Sequence, residues 1–114
     1  MSTHVGKQPS DEQFEAAAAT LKLLADPTRL RILWALLHGE HPVQALAEHV
    51  GSRPPAVSQH LAKLRLARLV RTRRDGNQIY YAAESQHIER LTSEALFHAD
   101  LIAPGRTSAK EATA

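Results

Sequence analysis

Apolar residues recur along the chain in two rhythms, a helical one over most of its length and an alternating one over a short stretch near the middle of its second half. Ser10-Asp11-Glu12-Gln13 has the form of a capping box and precedes Phe14 and an Ala/Leu-rich run, which predicts a first helix over about 11–25. Asp26-Pro27 restarts the chain, since Asp caps and Pro suits a first helical position. A second helix then runs from Thr28 to about Leu37, with Leu30, Leu33, Trp34 and Leu37 at three- and four-residue steps and Gly39 beyond its end. Pro42 opens a short third helix carrying Val43, Leu46, Ala47 and Val50, and Gly51 closes it. After the turn Ser52-Arg53-Pro54-Pro55, a fourth helix over about 55–67 places Val57, Leu61 and Leu64 on one face. Helices three and four, joined by so short a turn, form a helix-turn-helix unit.

From Leu69 to Ala82 the period becomes two. Asp75-Gly76 is a two-residue hairpin signal, and taking it as the loop pairs Arg74 with Asn77, Thr72 with Ile79 and Val70 with Tyr81. Thr72, Ile79, Val70 and Tyr81 then share the packed face, and Arg71, Arg73, Gln78 and Tyr80 the exposed one. A last helix follows over about Ser85–Leu101, and Pro104-Gly105 begins a polar tail. The predicted order ααααββα is a winged helix-turn-helix, mainly α with a β-hairpin wing. Residues 1–9 read as a flexible arm, 10–102 as the domain and 103–114 as a disordered tail.

Composition changes this picture in two places. The 114 residues contain no cysteine, which excludes disulfide scaffolds, thiolate zinc sites, iron–sulfur clusters and thiol switches. Arg29 and Arg31 break the best apolar run, so no membrane span is expected, and the N-terminus lacks a secretory pattern, which points to the cytoplasm. No Ser/His/Asp or paired-carboxylate set gathers in one place, so an enzyme is not expected. The net charge of +2 conceals an asymmetry: Arg53, Lys63, Arg65, Arg68, Arg71, Arg73 and Arg74 fall in one stretch without an acid, and the rest of the chain is acidic. A basic block on an acidic body is the footprint of polyanion binding.

That block coincides with the fourth helix and the wing. A major groove accepts one α-helix, and Ser58, Gln59 and His60 near the start of helix four can meet base edges, Gln pairing bidentately with adenine. Lys63 and Arg65 suit phosphates, Arg53 is a further DNA-binding candidate of the same basic block, and Arg71, Arg73, Arg74 and Gln78 of the hairpin suit the neighbouring backbone or minor groove. Without a pair of exposed aromatics to stack bases, double-stranded DNA is favoured over RNA.

Leu24-Ala25-Asp26-Pro27-Thr28-Arg29-Leu30-Arg31-Ile32-Leu33, Ala56-Val57-Ser58-Gln59-His60-Leu61 and Arg73-Arg74-Asp75-Gly76 together resemble the ArsR/SmtB family of metal-responsive regulators over about residues 11–102, and its nickel- and cobalt-sensing branch in particular. The resemblance implies a homodimeric bacterial transcription regulator with helices one and five at the dimer interface, generally released from its operator by a metal ion.

The absence of cysteine leaves helix five as the effector site within that pattern. His87 and His98 stand eleven residues apart, which is ~16 Å along the axis but nearly three whole turns, so both project from one face in line with Leu91. Paired antiparallel with its copy, that face brings His87 to the partner's His98 and creates two equivalent sites. Relatives carry an Asp two residues before the first of these histidines and a His or Glu three after the second; here Ser85 and Leu101 stand there, with Glu84 and Asp100 nearby. His4 is a further candidate. After loss of the initiator, Ser2-Thr3-His4 offers an amine, two amides and an imidazole suited to Ni(II) or Cu(II), or the arm donates His4 to a six-coordinate site on helix five. His38, His41 and His49 read as surface or cap residues.

The expectation is a regulator whose affinity for operator DNA responds to Ni(II) or Co(II), with Zn(II) second. Two alternatives stand beside it: a metal-independent regulator controlled by a partner protein or its own concentration, and a metal-binding protein whose basic segment is incidental.

Overall fold

A computed structural model describes residues 7–105, so the expected tail beyond Gly105 and the start of the arm, His4 included, lie outside the described residues. Five helices and one antiparallel hairpin follow in the expected order: α1 (Asp11–Leu24), α2 (Pro27–Leu36), α3 (Val43–Val50), α4 (Pro54–Leu66), β1 (Val70–Asp75), β2 (Gln78–Ala83) and α5 (Gln86–Ile102). The capping box forms in full: the Gln13 amide donates to Ser10 Oγ at 3.1 Å and the Ser10 amide to Gln13 Oε1 at 2.8 Å. Asp26 caps α2 by accepting from the Arg29 amide at 3.0 Å.

The core lies where α2, α3, α4 and the base of the hairpin meet. Val57, Leu61 and Leu64 of α4 are completely buried, as is Leu46 of α3, and Ile32, Leu33 and Leu36 of α2 complete the cluster with Leu69 and Val70. Each such side chain contributes roughly 1.5–3 kcal/mol by leaving water. On α2 the stripe sits differently from the expected one. Leu30 and Leu37 are half-buried, Trp34 is 49% exposed, and the buried positions are Ile32, Leu33, Ala35 and Leu36. Helix α2 packs on α3 and α5 together, which widens its buried face, and Trp34 lies beyond it on an open apolar groove with Pro27, Leu30, Arg31 and Leu96.

The hairpin register differs from the expected one. Asp75 pairs with Gln78, Arg74 with Ile79, Thr72 with Tyr81 and Val70 with Ala83, so the loop is Gly76-Asn77. Gly76 takes φ +65° and Asn77 does not take a positive φ, the pattern of a turn with glycine at its first central position. Moving the loop by one residue shifts each partner by two, and a shift of two preserves the faces. Arg71, Arg73 and Gln78 therefore remain on the expected side. His41 adds a short bridge on the free edge of β2, its amide donating to Tyr81 O at 3.0 Å and its carbonyl accepting from the Tyr81 amide at 2.9 Å.

Helix α4 ends in an unusual residue. Leu69 N–H donates to Leu64 O and Arg68 N–H to Arg65 O, a Schellman pair that needs a left-handed residue between helix and strand. Arg68 fills that position at φ +61°. Glycine there avoids a steric cost of ~1–2 kcal/mol but loses more freedom on folding, so Arg68→Gly is expected to stabilise the protein by about 0.5–1 kcal/mol. Urea denaturation at fixed protein concentration checks it.

Two helices are left largely uncovered. Leu24 is the only buried residue of α1, and Thr92 the only one of α5. Phe14 (60% exposed) on α1 and Phe97, Leu101 and Ile102 (64%, 69% and 71%) on α5 lie open, more apolar surface than a lone soluble helix usually presents.

Candidate DNA interface and cation-binding helix

Burial of Val57, Leu61 and Leu64 turns the opposite face of α4 outward. Ser58, Gln59, Lys63 and Arg65 are exposed there, and Arg53 stands at the N-cap. His60 is the exception. It is half-buried, and its Nδ1 accepts from Arg29 Nε at 3.1 Å, so the ring is fastened to α2. Arg71, Arg74 and Gln78 of the wing are exposed.

Arg73 is engaged within the chain. Its Nε lies 2.8 Å from Glu40 Oε1 and 2.9 Å from Oε2, its guanidinium sits over the Tyr80 ring at 4.7 Å, and Asp75 is 3.9 Å away. Among the described residues these are the ion pairs of the basic face, so the other bases keep their charge unpaired. Glu40 precedes the basic stretch by more than ten residues, and the fold returns it to the wing. The pair fixes the wing to the α2–α3 turn and offsets one of its charges. Arg73 is thus both an anchor and a cation on the same face as Arg71.

Asp26 holds the α1–α2 corner. The Arg29 backbone N–H lowers its pKa, the Arg29 charge acts in the same direction, and partial burial opposes them. A carboxylate depressed in the folded state stabilises the fold fully above its unfolded pKa and loses that contribution as pH falls through the folded value. Asp26→Asn keeps the cap and removes the titration, so its stability is expected to fall less steeply in acid than that of the wild type, as thermal denaturation across the carboxylate range will register.

On α5, His87 and His98 are both exposed, as the eleven-residue spacing requires for one face. Arg90 Nη2 stands 3.3 Å from His87 Nδ1. The additional candidate ligands are not gathered around either histidine. Asp100 Oδ1 accepts from the Gly105 amide at 3.2 Å, Glu84 lines an open surface pocket together with Arg65, Arg68 and Arg71, and Ser85 is the N-cap of α5. Among the described residues, no three of His, Asp and Glu approach closely enough to hold a metal ion within one chain. Of the other described histidines, His38 lies edge-on to Trp34, and His41, with Nδ1 2.9 Å from Gly39 O, lies edge-on to His49. No helix among the described residues is long and apolar enough to cross a membrane.

Sequence reasoning missed Arg29, Glu40 and Arg90 as partners of site residues. The first two reach theirs across 31 and 33 residues of chain. Arg90 was accessible as a neighbour one turn from His87.

An exposed reading helix beside a basic hairpin defines a winged helix-turn-helix DNA-binding protein. The chain belongs to the arsR family of bacterial regulatory proteins, whose family model matches residues 26–72. It is a DNA-binding transcription regulator and not an enzyme. It is 50% identical over 95 residues to the HTH-type transcriptional regulator KmtR of Mycobacterium tuberculosis, an alignment covering 83% of this chain and 73% of that protein. The homodimeric winged helix-turn-helix DNA-binding domain Mb0332 of Mycobacterium bovis superposes with a TM-score of 0.72 at 32% identity, covering 82% of this chain and 89% of that one. The antimony-specific transcriptional repressor AntR superposes with a TM-score of 0.76 at 29% identity, over 92% of this chain and 97% of that one.

Proposed function

We propose that the chain is a homodimeric regulator whose affinity for operator DNA responds to a divalent metal ion held between two copies of α5. The observation that carries this reading is the face of α5: two exposed histidines, one above the other at eleven residues, on a helix whose apolar residues Phe97, Leu101 and Ile102 also lack cover. Pairing with a second copy buries those residues together with Phe14 of α1. The M. bovis relative is described as homodimeric and AntR as antimony-specific, which supports dimerisation and a metal-type effector here.

Imidazole nitrogens with oxygen donors suit Ni(II) and Co(II) first and Zn(II) second. His87 of one copy and His98 of the other supply the nitrogens. Glu84, Ser85, Asp100 and, from the arm, His4 are the candidates for the remaining positions. The bound ion supplies a charge-bearing link between the two helices. Residues 10–102 act as one unit for DNA binding and dimerisation. On DNA, Ser58 and Gln59 meet base edges in the major groove, joined by His60, and Arg53, Lys63, Arg65, Arg71, Arg73, Arg74 and Gln78 meet the backbone or minor groove.

Arg90 opposes the metal. Arginine has no acceptor and stays charged, so its contact with His87 Nδ1 occupies a lone pair and places a cation beside the site. Arg90→Gln is therefore expected to tighten Ni(II) binding by about tenfold, a gain equal to ~1.4 kcal/mol. Isothermal titration checks this, and unchanged or weaker affinity places the ion elsewhere.

A further inference from the structure

One arginine ties the end of α1 to the DNA-facing helix. Arg29 uses three donors in three directions: Nη1 to Leu23 O at 3.0 Å, its backbone N–H to Asp26 Oδ2 at 3.0 Å, and Nε to His60 Nδ1 at 3.1 Å. Arg29 and His60 are both half-buried, so the contact is shielded from water more than a surface pair. A guanidinium only donates. His60 Nδ1 must therefore be the acceptor, and the neutral ring carries its proton on Nε2. The opposite tautomer, or a doubly protonated ring, sets N–H against N–H.

We infer that Arg29 is a positioning residue for DNA recognition, which fixes His60 of α4 as an Nε2–H donor and so restricts it to hydrogen-bond acceptors on the operator. Those acceptors are phosphate oxygens, purine N7, guanine O6 and thymine O4; the amino groups of adenine and cytosine are excluded. The same side chain connects Leu23, at the end of a helix left open for dimerisation, to the reading helix. The inference rests on the reading that α4 enters the groove. Lysine cannot replace Arg29, because one ammonium on a flexible stem does not span two acceptors with fixed, diverging N–H bonds.

The test has two arms. In the free protein with ¹⁵N-labelled histidine, long-range ¹H–¹⁵N spectra are expected to show His60 with unprotonated Nδ1 and protonated Nε2, and Arg29→Lys is expected to shift it to a tautomer mixture. In operator binding at fixed salt, Arg29→Lys and His60→Asn are each expected to lower affinity by about tenfold or more, the scale of a hydrogen bond to a charged group, and the double variant to do no worse than His60→Asn alone. Asparagine keeps an acceptor for Arg29 and removes the Nε2 donor, so this variant is expected to retain wild-type stability. An Nδ1–H tautomer in the wild type, or an unchanged tautomer with unchanged affinity in Arg29→Lys, overturns the positioning role even if Arg29→Gln unfolds the chain. A correct tautomer with full affinity in His60→Asn removes His60 from the DNA instead, and overturns this inference by way of its premise.

Discussion

Alanine at both Gln59 and Arg73 is expected to abolish specific operator binding and to leave the dimer intact. Gln59 is exposed near the start of α4, so its truncation costs the fold little. A bidentate contact from its amide to adenine is worth ~1–3 kcal/mol of discrimination. Arg73 acts at two levels. Its charge contributes to the electrostatic attraction, and its bond to Glu40 holds the wing against the α2–α3 turn. Removing it frees the hairpin while exposing a carboxylate beside the DNA path. The combined loss is expected to exceed about 100-fold, with the slope of log affinity against log salt falling by about 0.9 for each phosphate that is no longer neutralised. Arg74→Ala is the contrast: its side chain is exposed and outside any ion pair among the described residues, so binding is expected to weaken uniformly across sequences without loss of specificity. Gel shift or fluorescence anisotropy, with size-exclusion chromatography for the dimer, will decide; unchanged binding in the double variant eliminates α4 and the wing as the DNA face.

The second large effect concerns α5. His87→Ala and His98→Ala are each expected to remove high-affinity Ni(II) binding from the homodimer, because each site draws one histidine from each copy. A mixed dimer of the two variants is expected to recover one site of the original two, since one pairing then lacks both histidines and the other retains both. That stoichiometry is specific to a shared, antiparallel arrangement. A site within one chain yields none in the mixed dimer, and full affinity in either single variant sinks the α5 site altogether. The distance along the helix already argues against the intrachain case: eleven residues rise ~16 Å, far beyond the reach of one ion.

Most of the architecture was legible because each element has a local cause. Capping at Ser10 and Asp26, prolines at 54 and 55, glycine at 51 and the Val57/Leu61/Leu64 stripe are short-range signals, and all are realised. The hairpin was legible in which residues share a side but not in its loop or in all of its burial, since Ile79, expected to pack, is 38% exposed and Ala82, on the Arg71 side, is buried. Asp75-Gly76 and Gly76-Asn77 both suit a tight turn, and pairing Asp75 with Gln78 also leaves the aspartate within 3.9 Å of Arg73. The side chains around the candidate sites were the least accessible. Charge arithmetic along the chain separated Glu40 from the basic block, yet folding sets it against Arg73, and the composition of helix four gave no sign that His60 faces Arg29. Contacts across 31 and 33 residues depend on how α2 and the wing dock, which no local pattern encodes.

Linkage between a cation on α5 and operator affinity is decided by titrating Ni(II), Co(II) and Zn(II) against the protein–operator complex at fixed salt. A coupling of ~1–3 kcal/mol predicts a roughly 5–150-fold change in operator affinity on saturation, largest for Ni(II) or Co(II) and absent in His87→Ala. Operator affinity that stays constant through saturation with all three ions, or that shifts equally in His87→Ala, rules out a regulatory ion on α5.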